Sequence, residues 1–246
     1  GINYKTYFFL NNQFDKKLLK DLNSSNKVLI SIPPKDKIDI VLKTFNKNFK
    51  KNNFDWVVYL SATSVYGDHK GQWVDEKAKL KSTTKKGIAR LFCEKNWLKH
   101  YKNFKLPVQI FRLSGIYSRE RNLIKRLKEG RVKVVQKSNH YFSRIHVEDI
   151  AEVLTLSMKQ NYPGEIFNIS DDCPSSNEEI TKYATKLTKM LMPKKIKVDK
   201  IDNKQLAEFY KDSKKVKNSK MKKFFKYKLK YPTYKEGLYM ISKYKF

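Results

Sequence analysis

The chain has 246 residues, 40% hydrophobic and 13% aromatic, with a formal charge of +30. That is enough apolar material for one large α/β domain, or one and a half. It holds no run near the ~20 apolar residues of a membrane span and no signal-peptide pattern, and its two distant cysteines, Cys93 and Cys173, argue against a zinc site and for a reducing, cytoplasmic setting.

The charge excess is almost all lysine, with 7 arginines in the chain. Phosphate and base recognition leans on arginine. Abundant Lys, Asn, Ile, Phe and Tyr is also what an AT-biased coding sequence places on solvated faces. The composition therefore disfavours nucleic acid as the partner and favours a small anionic ligand. Four scattered histidines, His69, His100, His140 and His146, have no metal-site spacing.

Ile2 to Leu10 reads as a strand, and Asn11 to Leu22 as a helix with Phe14, Leu18, Leu19 and Leu22 on one stripe. Lys27 to Ile32 is a buried strand, stopped by Pro33 and Pro34. Asp36 to Phe49 is a helix. Trp56 to Leu60 is an apolar run with no charge, as in a parallel strand covered on both faces. It ends in Ser61-Ala62-Thr63-Ser64, at the strand end where α/β sheets bind ligands. Gly67 to Lys81 is a polar loop. Thr83 or Thr84 caps a helix reaching about Tyr101, and Leu106 to Ile116 is a strand ending at Ser114-Gly115. A basic helix spans Arg119 to Gly130. Short strands follow at Val132 to Val135 and Tyr141 to Ile145, then a helix from Val147 to Met158 and a strand from Glu165 to Ile169. Ser175 or Ser176 caps a helix that continues to about Met192. Lys211 to Lys230 carries ten lysines against one aspartate, and reads as a solvated helical face rather than an anion patch. The β-α-β rhythm predicts a parallel sheet under helices, and a composition shift near Gly130 suggests that a second lobe begins there.

The order and spacing of LSATSVYGD, FRLSGIYS and RIHVEDIA resemble the extended short-chain dehydrogenase/reductases, the NAD-dependent epimerase/dehydratase group. VVYLSATSVYGDHKGQWVDE and the late YPTYKEGL suggest an atypical branch. The resemblance runs from about Ile2 to Leu238. It implies an α/β fold: a Rossmann-like parallel sheet with helices on both faces, N-terminally truncated, over residues 1–130. A smaller α/β substrate lobe, intertwined with it, spans 131–246. It further implies an NAD or NADP cofactor, a small-molecule substrate of anionic or sugar-nucleotide type, and a possible homodimer through the two helices flanking the active site.

The chain departs from the family pattern at several points. None of its eight glycines has the GxGxxG spacing that holds a dinucleotide pyrophosphate. Ile2 to Leu10 stands where the third strand of the family is expected, so on the family pattern a unit of roughly 30 or more residues would be absent in front of it: either the chain is a fragment or the cofactor grip has been lost. The start on Gly1 rather than Met favours a fragment. Ala62 occupies the family's catalytic Ser/Thr position, with Thr63 and Ser61 beside it. Lys86 and Arg90 occupy the Tyr and Lys of YxxxK, the pair that handles the proton and holds the ribose. Tyr66 is a candidate replacement acid, or else packs under its loop. His69 is a candidate proton donor, which with Thr63 and Tyr66 completes the catalytic candidates. Ser31, Ile32, Pro33, Ser61, Ala62, Arg90, Ser114 and Gly115 are expected against the cofactor. Phe142 replaces a diphosphate-reaching Arg. Arg144, on the same face, and Tyr141 are expected against substrate. His146 and Asp149 match the family's HVxD in a structural role. The function expected is an NAD(P)-dependent oxidoreductase or epimerase with a non-standard triad. The alternatives are a non-catalytic nucleotide-binding relative or a basic nucleic-acid binder.

Overall fold

The computed structural model describes residues 4–10, 13–51 and 53–244. Its centre is a four-stranded sheet in which every neighbouring pair is parallel.

The chain enters through a small antiparallel hairpin, β1 (Phe9–Leu10) and β2 (Gln13–Phe14). This corrects the expected strand from Ile2 to Leu10, whose first residues lie outside the described part. The aromatic side chains here do packing work instead. The rings of Phe9 and Phe14 lie 5.4 and 5.0 Å from that of Phe45, beside the central sheet rather than in it. Helix α1 (Lys16–Ser24) starts later than predicted because the Asp15 carboxylate accepts the Lys17 N–H and fixes the cap. Strand β3 (Lys27–Ile30) leads to α2 (Ile40–Lys51) through a tight turn at Asp36 and Lys37, both left-handed. Strand β4 (Trp56–Ala62) follows, and a single 3₁₀ turn over Thr63–Tyr66 carries its end into the loop holding β5 (Trp73–Val74).

Thr84 caps α3 (Lys85–Phe104), its hydroxyl accepting the Gly87 N–H at 3.1 Å. The predicted strand from Leu106 to Ile116 is two, β6 (Val108–Leu113) and β7 (Gly115–Tyr117). Then come α4 (Leu123–Lys128), β8 (Val134–Gln136), β9 (Arg144–His146), α5 (Val147–Lys159) and β10 (Ile166–Ile169). A capping box at Ser176 and Glu179 opens α6 (Asn177–Thr188). The chain ends through β11 (Lys195–Lys197), α7 (Lys204–Phe209), β12 (Lys215–Val216), α8 (Ser219–Phe225) and α9 (Tyr234–Ser242).

The sheet order is β10-β6-β4-β3. Strand alternation sorts the core. Val57, Tyr59, Val108 and Ile110 pack with α2 and α3, while Trp56, Val58, Phe111, Phe167 and Ile169 pack with α5 and α8. The fold is thus α/β, with a Rossmann-like parallel sheet covered on both faces. A third cluster, including Ile124, Ile180, Ala184 and Leu238, joins α4, α6 and α9.

The lysine-dense stretch is not a solvated helical face. Met221, Phe225, Leu229 and Tyr231 are buried. The wholly buried Asp149 carboxylate accepts the Tyr227 hydroxyl and the Lys230 N–H, both at 2.7 Å, and so ties this stretch to α5. Lysine stems cover the core while their ammonium groups stay wet.

Candidate functional site

Three neighbouring strands place one polar residue each in the same row. Ser61 on β4 and Asn168 on β10 are both in register with Arg112 on β6. All three are buried, and they face α3, which supplies Glu94. Arg112 Nη2 reaches Glu94 Oε2 at 2.7 Å, and its Nε reaches Oε1 at 3.1 Å. The Ser61 hydroxyl donates to Glu94 Oε1 at 2.5 Å. Arg112 Nη1 donates to the Tyr66 hydroxyl at 3.0 Å, which donates onward to Asn168 Oδ1 at 2.7 Å. Burial opposes the Arg112 charge, but Glu94 more than compensates and holds the guanidinium's pKa above its ordinary value. Burial pushes the Tyr66 phenol up to about 12.

This network corrects two expectations. Ser61 faces inward onto α3 rather than toward a ligand. Tyr66 is fully buried and committed to Arg112 and Asn168, so the packed alternative describes it. His69 is also occupied, its Nε2 lying 3.2 and 3.1 Å from the Tyr66 and Lys79 carbonyl oxygens. Ser31, Ile32 and Pro33 lie exposed just past β3 and line no part of the cleft described next.

That cleft, about 440 Å³, opens beyond the carboxyl ends of β4 and β6. Ala62, Thr63, Ser64, Ser114 and Gly115 form its strand-end wall. Ser114 is 4% exposed, and its hydroxyl has no hydrogen-bond partner among the described residues. Lys86 and Arg90 line the α3 side, and Arg121 and Tyr141 stand opposite. The Arg90 guanidinium donates to the Leu60 carbonyl, so part of its donor capacity holds the strand end. Asp212 and Lys214 close the cleft; their charged ends are 3.7 Å apart and both side chains are 12% exposed. Burial lowers the Lys214 pKa, and Asp212 opposes that.

The closing segment is held by several bonds. The Asp68 carboxylate accepts the Ser213 N–H at 2.8 Å, and β12 pairs in parallel with β5. The Ser143 hydroxyl accepts the Val216 N–H at 3.0 Å.

A second cavity of about 290 Å³ adjoins the cleft and shares Gly115, Arg121, Phe142, Ser143 and Phe209 with it. The stacked rings of Phe142 and Phe209, with centroids 4.5 Å apart, stand where the two spaces meet. Arg126 and Arg144 add positive charge to the second cavity. Arg144 Nη1 donates to the Phe142 carbonyl at 2.9 Å and to the Ser175 hydroxyl at 2.8 Å. Behind it, burial pushes the Asp171 carboxyl up to about 8, against the pull of Arg144. His146 is buried, and its Nδ1 accepts the Glu148 N–H at 3.3 Å.

The structure therefore brings Thr63, Ala62, Arg90, Ser114, Gly115 and Tyr141 to one cleft and Arg144 to the cavity beside it. Sequence reasoning missed Arg121, Glu208, Phe209, Asp212 and Lys214. One signal was available: Asp212 is the single acid in a long lysine run.

The model of the NAD dependent epimerase/dehydratase family matches residues 42–170, just over half of the chain. The chain belongs to this family. A functionally unknown conserved protein from Silicibacter pomeroyi DSS is 37% identical, with a TM-score of 0.84 over 89% of this chain and 78% of that one. UDP-glucuronic acid 4-epimerase from Bacillus cereus, in complex with NAD, is 20% identical with a TM-score of 0.73, over 91% of this chain and 74% of that one. At that identity the likeness concerns the fold alone. A dTDP-D-glucose 4,6-dehydratase from Dictyostelium discoideum is 25% identical over 157 residues, 55% of this chain and 35% of that protein. The match thus spans about a third of this curated relative's length. Among the described residues no helix is long and apolar enough to cross a membrane.

Proposed function

We propose that this family member binds a nicotinamide dinucleotide and an anionic, sugar-nucleotide-type substrate in the two adjoining spaces. Lys214 and Asp212 then take over the proton handling that a Tyr/Lys pair performs elsewhere in the family. One observation carries the reading: a cleft at the carboxyl ends of parallel strands joins, past Phe142 and Phe209, a cavity with three arginines in its walls.

The residues present fit one end of the dinucleotide. Ser114, with Thr63 and Arg90, lines the space over β4 and β6. Nothing in the described residues forms a glycine-rich turn for the pyrophosphate. When bound, the nicotinamide supplies or accepts a hydride. The protein's own groups do the rest. Arg121, Arg126 and Arg144 hold anionic oxygens in a fixed, forked geometry. Phe142 and Phe209 keep water out of the passage. Lys214 reaches its neutral amine form at lower pH than a solvated lysine, which suits it to exchange a proton with a substrate hydroxyl. Asp212 holds the ammonium form when that form is needed.

A second reading, ligand binding without turnover, is favoured by Lys86, exposed at the family's tyrosine position. Calorimetric titration with NAD(H), NADP(H) and UDP-sugars separates these readings. Saturable dinucleotide binding that Ser114→Leu abolishes supports the cleft assignment. Turnover lost in Lys214→Met supports the chemistry. Failure of every dinucleotide to bind sinks the whole proposal, and binding without turnover leaves the second reading.

A further inference from the structure

Arg144 stands in the wall of the second cavity with most of its donors unused. Its Nη1 reaches the Phe142 and Ser175 carbonyls at 2.9 and 3.3 Å and the Ser175 hydroxyl at 2.8 Å, all neutral acceptors. Its Nε and Nη2 form no hydrogen bond among the described residues. The ion pairs of arginine among those residues are Arg112 with Glu94 and Arg131 with Glu129, and Arg144 has none. Burial opposes the Arg144 charge, and the carboxyl that supports it most is Asp171.

Asp171 follows the end of β10, and its own N–H donates to the Arg144 carbonyl at 2.7 Å, which sets the two residues side by side. It is 1% exposed. Its Oδ1 accepts the Cys173 N–H at 3.2 Å, and its Oδ2 has no hydrogen-bond partner among the described residues. A carboxylate removed from water needs donors at both oxygens to stay charged. With a single N–H the group keeps its proton until about pH 8, although Arg144 pulls the other way.

The groups around this pair are already paired or uncharged. Asp149 on α5 holds the Tyr227 hydroxyl and the Lys230 N–H, and Asp172 pairs with Lys222 at 2.9 Å. Glu179 and Glu236 are held in the capping boxes of α6 and α9. Arg126 on α4 and Lys235 on α9 are the cations beyond them. Burial raises the Tyr117, Tyr210 and Tyr234 phenols and the Cys173 thiol, and lowers His146 beside the Tyr117 ring, so all five are neutral where Asp171 titrates.

We propose that Asp171 is the internal counter-ion of Arg144, replaced by any anion that enters the cavity, so that ligand binding is coupled to proton uptake at Asp171. The inference rests on the cavity being the anion site of the proposed function. An incoming anion takes the Nε and Nη2 donors and cancels the charge that favours the Asp171 carboxylate. That carboxylate then takes one proton from solvent and becomes the neutral acid. Asp171 touches no ligand; it is a positioning residue that acts through Arg144. Below about pH 8 it is already protonated, and Arg144 offers its whole charge to the ligand. At higher pH the affinity for an anion falls by up to about tenfold per pH unit.

The test is an infrared difference titration from about pH 6 to about pH 10, read in the band of the protonated carboxyl. Sodium sulfate is the probe, because its charge is constant over that range. Wild type minus Asp171→Asn should isolate one group titrating near pH 8. Sulfate should move that midpoint upward. In Arg144→Gln the midpoint should start higher and ignore sulfate. Calorimetry with UDP-glucose at about pH 9, in two buffers of different ionisation heat, should count up to about one more proton taken up by wild type than by Asp171→Asn. A midpoint moved by sulfate without any binding of UDP-glucose upholds the linkage and refutes the sugar-nucleotide reading. The linkage is overturned by a missing difference band, by a midpoint that sulfate leaves in place or moves equally in Arg144→Gln, or by UDP-glucose binding with equal proton counts.

Discussion

Replacing Glu94 by alanine is expected to be among the costliest single changes in the sheet. Arg112 and Glu94 are each 2% exposed at the side chain, so neither charge can turn to water. The substitution removes contacts to Arg112 at 2.7, 3.1 and 3.3 Å and the acceptor of the Ser61 hydroxyl. Arg112 keeps the Tyr66 hydroxyl at 3.0 Å and the distant Glu76 carbonyl at 3.5 Å, both neutral. A buried charge stripped of its partner costs about 3–5 kcal/mol, a large share of the ~5–15 kcal/mol that holds a domain together. The melting temperature should fall by roughly 6–20 °C for a chain of this size. Glu94→Gln keeps an acceptor and should cost about half as much, in the range of a hydrogen bond to a charged group. Glu94→Ala/Arg112→Met removes both charges and should recover most of the loss. Urea unfolding of the four proteins measures this. If Glu94→Ala alone costs less than about 1 kcal/mol, water reaches Arg112 and the buried row does not hold the strands.

Other outcomes follow from the same structure. Tyr66→Phe should cost about 1–3 kcal/mol by leaving Asn168 Oδ1 without its donor, yet leave ligand titrations unchanged; a loss of turnover without a loss of stability would return Tyr66 to the chemistry. Asp171, raised to about 8 when folded from an ordinary 3.8, keeps its proton in the folded state while the unfolded chain gives it up. Its contribution to stability is whole below pH 3.8 and is lost as pH rises toward about 8, by at most about 1.4 kcal/mol per pH unit. Asp171→Asn should therefore gain on the wild type between pH 5 and 8 in denaturant titrations, and a constant difference would refute the shift. Gly67→Ala should cost more than about 2 kcal/mol, since φ is +69° and the added Cβ would lie 2.5 Å from the Lys81 carbonyl oxygen; thermal unfolding within error of wild type would contradict that geometry.

The central strands were legible because Trp56 to Leu60 on β4 is an uninterrupted apolar run, a pattern few environments other than a sheet covered on both faces tolerate. Apolar periodicity and caps placed α2, α3, α5 and α6 around them to within a few residues, while α7 and α9 were not foreseen. The cleft was only partly legible. A serine at a strand end faces either a ligand or the next layer, and nothing local decides which. For Ser61 the decision belongs to register: Arg112 on the neighbouring strand needs a carboxylate, Glu94 supplies it, and Ser61 is drawn into that pair. The tail misled for a different reason. Counting lysines hides Met221, Phe225 and Leu229, which recur every fourth residue and form one wall of the core. Asp212 and Lys214 reach the cleft only because the segment returns beside β5, a pairing too short to announce itself in sequence.

That return has a consequence for biosynthesis. The ribosome delivers the strands and helices of the central sheet alternately, and only after them the residues that pair with Trp73 and Val74. A chain stalled before Lys211 lacks the last wall of the cleft and also Met221, Phe225 and Leu229, which cover one face of the sheet. The last wall of the cleft and the cover of that sheet face therefore arrive together, and a protein shortened to before Lys211 should lose sheet stability along with the cleft.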